Sequence, residues 1–311
     1  MSSILRRLSL RQLTVFLQAA RQMSFARAAE ALHLTQPAIS MQIRQLEDAL
    51  GLPLFERVGK KLALTQAGEL LRHHAARVIG ELQDAGQALD ALKGLRAGHT
   101  RVGLVSTATY FAPKLLAQFA KRHPQVEIQF VTGNRETLIH ALRDNEIDFA
   151  VMGRPPEQFD AHAQAIAENP HVLVAHKAHR LAKARRIDLH ALQDEAFLMR
   201  EAGSGTRLVM EALFQQRQFT PRRVALLGSN ETVKQAVMAG MGISLLSLHS
   251  LELELRARQV SLLNMTGAPI LRNWHVVHMN AKKLAPAATA FREFLLAQTQ
   301  IHLNETFARY R

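Results

Sequence analysis

Cysteine is absent from the 311 residues. That removes disulfides, cysteine-ligated zinc and thiol redox sensing from consideration. No apolar run approaches the roughly 18 residues that a membrane helix needs, so no membrane association is expected. The opening Met1-Ser2-Ser3-Ile4-Leu5-Arg6-Arg7 carries basic residues with no apolar stretch behind them. No secretory signal is therefore expected, and the expected compartment is the cytoplasm. Catalytic signatures are missing as well: there is no His-Glu-x-x-His, no Walker A lysine and no Gly-x-Ser-x-Gly elbow. Ser204 stands between two glycines, but no partner base can be nominated for it. Fifteen histidines invite a metal reading. His73 and His74 are neighbours on a predicted helix, so they point about 100° apart and share a metal poorly. His171, His176 and His179 have no evident carboxylate or cysteine company. Neither an enzyme nor a metal site or cofactor is expected.

Acid is also in short supply: 39 Lys and Arg face 26 Asp and Glu, a formal charge of +13. An excess of that size favours a polyanionic partner such as nucleic acid. It does not say where such a partner sits. Residues 1–93 carry 12 basic and 8 acidic side chains, a net of +4, which leaves 27 and 18, or +9, for the remainder. With 48% apolar and 21% charged residues the composition is that of a globular protein, and the length suits two domains with a connector.

Three short helical patterns open the chain. From about Ser9 to Gln22, Leu13, Phe16, Leu17 and Ala20 fall on one face. Ser24 is a natural N-cap for a second helix striped by Ala28, Ala29 and Leu32. Thr35 or Gln36 can cap a third, whose first turn accommodates Pro37. In the third, Ile39, Ile43, Leu46 and Leu50 recur at spacings of four, three and four and face inward. The opposite flank carries Pro37, Ser40, Met41, Arg44 and Gln45, side chains able to meet base edges or a thymine methyl. Small alanines at 28 and 29 allow the close crossing of a helix-turn-helix, whose second helix enters the major groove. Residues 54–65 then read as a hairpin turning at Gly59, with Arg57, Lys60 and Lys61 at its tip. Cations there suit phosphate or minor-groove contact, although a solvated basic loop has the same composition.

Ser24-Phe25-Ala26-Arg27-Ala28-Ala29-Glu30, Leu34-Thr35-Gln36-Pro37-Ala38-Ile39-Ser40 and Leu54-Phe55-Glu56-Arg57, with Leu64-Thr65-Gln66-Ala67-Gly68, resemble the signature of the LysR family of bacterial transcription regulators. The resemblance implies an N-terminal winged helix-turn-helix on promoter DNA, spanning residues 1–66. It brings Thr35, Gln36, Pro37, Ser40, Met41 and Arg44 toward the groove and puts Arg57 and Lys60 on the wing. Ser24 and Lys61 complete the candidate DNA-binding set.

From Thr65 the pattern is helical again. Leu71, Ala75, Val78, Leu82, Ala85, Leu89 and Leu92 recur at spacings of 4, 3, 4, 3, 4 and 3, the period of a two-stranded coiled coil. Thr65 can start this helix, and Gly94 with Gly98 can end it. About 27 residues span roughly 40 Å. One reading is a dimerising linker over 67–93; the other is an amphipathic helix lying on its own domain. The family resemblance implies the first, a homodimer and, further, a homotetramer.

Beyond residue 94 the pattern alternates. Strands are predicted over 101–105, 126–131, 148–152, 171–176, 224–228, 243–247 and 274–278, and helices over 112–122, 136–145, 206–216 and 231–239. Short apolar strands separated by helices argue for largely parallel sheets with two covered faces. The 94–311 region is expected to form two lobes, about 99–168 with 270–300, and 169–269. Ligands in such folds sit beyond strand ends, near helix N-termini. That nominates Ser106, Thr107 and Thr109, then Gly133, Asn134 and Arg135, then Gly153 and Arg154. The glycine-rich turn Arg200-Glu201-Ala202-Gly203-Ser204-Gly205-Thr206-Arg207 adds Glu201, Ser204, Gly205, Thr206 and Arg207 as an anion cradle. Asn230 and Glu231 follow the same strand-to-helix logic. Each has a plainer alternative: capping for Ser, Thr and Asn, turn geometry for glycine, ion pairing for arginine.

The LysR resemblance extends over this region and implies a periplasmic-binding-protein-like fold with an effector between its lobes. Arg6-Arg7-Leu8-Ser9-Leu10-Arg11-Gln12-Leu13, Gly133-Asn134-Arg135-Glu136-Thr137-Leu138 and Met152-Gly153-Arg154-Pro155-Pro156 resemble the CbbR group, regulators of carbon-fixation operons. That group implies an activator controlled by a small phosphorylated or carboxylated metabolite and working with RNA polymerase. The rival reading is a metabolite-binding protein or enzyme of the α/β class carrying an N-terminal interaction module.

Overall fold

The computed structural model describes residues 8–59, 61–92, 98–157 and 159–310; the side chains at 87, 88, 90–92 and 309 lie outside the described set. The chain divides into two compact units, residues 1–93 with 143–146, and 94–142 with 147–311. Among the described residues no helix is long and apolar enough to cross a membrane.

In the first unit α1 (Leu10–Gln22) starts at Ser9, whose hydroxyl accepts from the Gln12 N–H while Gln12 answers the Ser9 N–H, a reciprocal capping box. Ser24 caps α2 (Phe25–Leu32), accepting from the Arg27 N–H at 3.3 Å. Thr35 caps α3 (Gln36–Leu50), with Pro37 in the first turn and Gly51 closing the helix at φ +72°. The strands β1 (Phe55–Val58) and β2 (Lys61–Leu64) pair antiparallel, and α4 (Gln66–Leu92) follows. Leu13, Phe16, Ala28, Ile39, Ile43 and Leu46 pack into one core. Truncating a core leucine such as Leu46 to alanine typically costs about 2–5 kcal/mol. Val15 and Ala19 are buried as well, whereas Leu17, Leu32 and Leu50 are only partly so. Phe55 stands edge-on to both Phe16 and Phe25, which seats the hairpin on the helices.

The predicted seam on α4 divides in two. Ala75 is buried in this core and Leu71 packs against it. Val78, Leu82 and Leu89 are 45–58% exposed and Ala85 is exposed too. Leu71 and Ala75 are therefore occupied within their own unit, because the first turns of α4 close the bundle of α1 to α3. The side chain of Leu92, like Gly94, lies outside the described residues.

The second unit is built on a mixed sheet, not the largely parallel one expected. β3 (Gly98–Val105) lies between parallel partners β4 (Val126–Gly133) and β5 (Phe149–Met152). β11 (Ile270–Met279) runs antiparallel to both β5 and the long β6 (Ala161–His176). The far half of β6 pairs antiparallel with β9 (Ser244–Ser247) and β10 (Val260–Leu263). A separate parallel pair is formed by β7 (Ala196–Arg200) and β8 (Arg223–Leu227). The helices are α5 (Ala112–Arg122), α6 (Arg135–Arg143), α7 (Gly205–Gln216), α8 (Asn230–Met238), α9 (Glu252–Arg256) and α10 (Pro286–Phe307). β6 runs through the expected lobe boundary at 168/169, and β11 pairs with it on both sides of that point. A register shift interrupts that pair between Trp274 and His275. Trp274 is fully buried there, its indole N–H donating to His249 Nδ1 at 3.0 Å.

Candidate functional site

On α3 the helical period separates a buried row from an outward one. Ile39, Ile43 and Leu46 are at most 3% exposed, while Gln36, Pro37, Met41, Arg44 and Gln45 face solvent. Thr35 is exposed beside them as the cap, and Ser40 is half-buried. Ser24 is half-buried, and its hydroxyl caps α2. Glu47, which sequence reasoning passed over, sits at the other end of α3. Its carboxylate accepts from the backbone N–H groups of Leu54 at 2.7 Å and Phe55 at 3.2 Å. One side chain therefore fixes the hairpin against the helix. Thr65 adds a second tie, donating to the Pro53 carbonyl and accepting from the Gly68 N–H. A Cβ on Gly68 would stand 2.1 Å from the Leu54 carbonyl oxygen, so only glycine fits there.

Arg57 and Lys61 are both exposed. The register pairs Arg57 with Leu62 and Lys61 with Val58, so alternation puts the two cations on opposite faces of the hairpin instead of in one cluster. Gly59 has the positive φ, +64°, that the turn requires, and Lys60 lies outside the described residues.

In the second unit a cleft of about 570 Å³ opens where the ends of β3, β4, β5 and the start of α7 meet the antiparallel pair β6–β11. Of the nominated residues, Ser106 and Thr107 line it after β3, Asn134 and Arg135 after β4, and Gly153 with Arg154 after β5. Ser204, Gly205 and Thr206 line it at the head of α7. Thr109, Gly133, Glu201, Arg207, Asn230 and Glu231 do not, and each has another occupation. The Thr109 hydroxyl donates to the Ser106 carbonyl at 2.6 Å. Gly133 ends β4, paired with Val105. Glu201 holds Arg200, and Arg207 pairs with Glu211 along α7. Asn230 donates to the Tyr110 hydroxyl, which itself donates to Glu231, while Glu231 also pairs with the buried Lys234.

Sequence reasoning missed the floor of the cleft. Asn169 and His171 come from β6; Arg272, Trp274 and His275 come from β11. These residues sit mid-strand on antiparallel neighbours, where a search of parallel strand ends does not look. The one usable signal was Trp274, the only tryptophan in the chain.

Three arginines line this cleft and no Asp or Glu does. Arg135 is anchored by the carbonyls of Arg154 and Pro155, at 3.1 and 2.9 Å. Burial and then the neighbouring Arg154 charge lower its pKa, against a smaller opposing pull from Glu157. Arg154 itself reaches outward to the exposed Glu157 at 2.6 Å. Burial pushes His171 down to about 4 and lowers His275, so at neutral pH the positive charge of the cleft belongs to its arginines. At the head of α7, Ser204 is only 3% exposed and makes no side-chain capping bond. By contrast Ser229 caps α8 and Asn134 accepts from the Thr137 N–H near the start of α6. The arrangement offers hydroxyls, a helix N-terminus and guanidinium groups to an anion.

Residues 10–69 match the helix-turn-helix model of bacterial regulatory proteins of the lysR family, and residues 93–300 match the LysR substrate binding domain. The chain is 55% identical to the HTH-type transcriptional regulator CfxR of Cupriavidus necator over 307 residues, 99% of this chain and 97% of that one. It is 46% identical to the RuBisCO operon transcriptional regulator of Allochromatium vinosum over 93% of this chain and 96% of the relative. Among solved structures it resembles the regulatory domain of Synechocystis PCC6803 CcmR in complex with 2-PG, with 40% identity and a TM-score of 0.62, covering 64% of this chain and 96% of that domain. The chain belongs to the LysR family of DNA-binding transcriptional regulators, with an N-terminal helix-turn-helix and a C-terminal substrate-binding domain of periplasmic-binding-protein-like fold.

Proposed function

We propose that this protein is a dimeric activator of a carbon-fixation operon, controlled by a small phosphorylated or carboxylated metabolite bound in the cleft of residues 94–311. The observation that carries the reading is the acid-free lining around Arg135, Arg154 and Arg272, beside the uncapped hydroxyl of Ser204. The names of the A. vinosum and Synechocystis relatives support the operon class and an effector such as 2-PG. In the first unit the outward row Gln36, Pro37, Ser40, Met41 and Arg44 reads bases, and Thr35 presents the helix N-terminus to phosphate. Ser24 serves at the entry to α2, and Arg57, Lys60 and Lys61 meet the backbone beside the groove. Two copies join along Val78, Leu82, Ala85 and Leu89, whose exposed apolar row matches a coiled-coil seam. Pairs of dimers form the tetramer that contacts RNA polymerase.

Occupancy of the cleft acts by favouring one arrangement of the lobes over another, which it can do only through a difference in affinity for the two. Gel-shift titration on the DNA upstream of the protein's own gene, at two salt concentrations, tests the division of roles. Arg57→Ala and Lys61→Ala should weaken binding to every sequence and lower the salt slope by about 0.9 for each phosphate left without its cation. Ser40→Ala and Arg44→Ala should relax specificity with a smaller change in slope. Equal effects from both pairs would remove the distinction between reading and anchoring residues.

A further inference from the structure

Behind the cleft wall stands a cation that the lining does not include. Arg200 ends β7 with its side chain only 4% exposed. Its Nε and Nη2 donate to the two carboxylate oxygens of the adjacent Glu201, at 2.7 and 2.8 Å, and Nη2 also reaches the Ser106 hydroxyl at 3.3 Å. The remaining nitrogen, Nη1, is buried and has no hydrogen-bond partner among the described residues. A buried donor left unmet is unusual and points to a partner that arrives from elsewhere. Ser106 lines the cleft, so the guanidinium lies one side chain behind it.

Glu201 is the counterpart. Its side chain is 28% exposed and does not line the cleft, but it is bonded to Asn134, which does. Burial works against its charge. The hydrogen bonds from Arg200, its own backbone N–H and Asn134 nevertheless hold its carboxyl below the ordinary range, so Glu201 is a carboxylate at neutral pH. The pair is thus tied to two residues of the cleft wall, Arg200 to Ser106 on the loop after β3 and Glu201 to Asn134 on the loop after β4. No other acid is available to Arg200 from the lining.

We propose that Arg200 is an effector-binding cation held in reserve, and that Glu201 occupies it until an anionic group entering beside Ser106 and Ser204 takes its place. This rests on the reading of the cleft as an anion site. The exchange trades one anionic partner of Arg200 for another and gives Nη1 the acceptor it lacks. It favours a phosphoryl dianion over a monoanionic carboxylate, since the incoming group must outcompete a carboxylate already in place. It also frees the Glu201 contact with Asn134, so occupancy is felt on the loop that leads into α6.

Calorimetric titration of 2-PG into the full-length protein tests this, with thermal melting to confirm that each variant is folded. Glu201→Gln removes the competing charge and should tighten 2-PG at least fivefold; Arg200→Lys should weaken it at least tenfold. The control is Arg272→Ala, which removes a lining cation that takes no part in the exchange. If Arg272→Ala weakens 2-PG while Glu201→Gln binds it like the wild type or less tightly, Glu201 is a support for Arg200 and the exchange is overturned, with the cleft reading intact. If Arg272→Ala binds 2-PG as tightly as the wild type, the cleft reading fails and the exchange falls with it.

Discussion

Two serines at helix starts look alike in sequence and differ in the folded chain. Ser229 accepts from the Thr232 N–H at 3.0 Å and caps α8, whereas Ser204 heads α7 without a side-chain capping bond and lines the cleft. Alanine at Ser229 should cost about 1 kcal/mol, the usual worth of an N-cap. For a unit of roughly 210 residues that lowers the melting temperature by about 2–4 °C. Alanine at Ser204 removes no cap, so it should leave the melting temperature within about 1 °C of the wild type. It removes instead a hydroxyl offered to a charged ligand, worth about 1.5–3 kcal/mol, or roughly 10- to 100-fold in affinity. Differential scanning calorimetry and titration with 2-PG measure the two quantities on the same samples. The crossed outcome, with Ser204→Ala melting low and binding normally, would show that the α7 serine is structural and does not serve the ligand.

Other expectations follow from the same geometry. Glu47→Ala strips the acceptor from two backbone N–H groups and should cost about 2 kcal/mol by urea denaturation, given about 1.5–3 kcal/mol for a hydrogen bond to a charged group, discounted for partial exposure; a loss under about 0.5 kcal/mol would mean that the hairpin is held by Phe55 packing alone. Leu82→Asp and Leu89→Asp should shift sedimentation from dimer to monomer, while an unchanged sedimentation coefficient would refute the α4 seam. His171 sits near 4 in the fold against 6.5 in the unfolded chain, so the unfolded state binds the extra proton between those values. Stability should therefore be full above pH 6.5 and fall as pH drops from 6.5 to 4, by at most about 3.5 kcal/mol at about 1.4 per unit. His171→Gln should flatten that slope.

Much of the first unit was legible because its signals are local. The spacing of Ile39, Ile43 and Leu46, the caps at Ser24 and Thr35, and the glycine at 59 each act within one or two turns. The α4 seam was misjudged at Leu71 and Ala75 because periodicity gives a face but not its partner, and here the partner of the first turns is the unit's own core. In the second unit, residues 161–169 are Ala, His, Gln and Glu for the most part, poor strand formers that become half of β6 only through pairing with β11. That tertiary pairing also carries the cleft floor, so Asn169, His171 and Arg272 were invisible to a reading of parallel strand ends. β7, with sequence Ala-Phe-Leu-Met-Arg, lacks β-branched residues and cannot be told from a helical turn by pattern. Helix α10 begins at Pro286 after Ala285, which offers no side-chain cap, and its start carried no sign beyond the proline.

Control by an effector requires that filling the arginine-lined cleft alter how the helix-turn-helix holds DNA. DNase I footprinting of the upstream region with rising 2-PG, on wild type and on Arg272→Ala, addresses that directly. The wild-type footprint should change its length or hypersensitive bands at saturating 2-PG, and the Arg272→Ala footprint should stay as it is without ligand. An identical change in both proteins would place the effector somewhere other than this cleft and contradict the account.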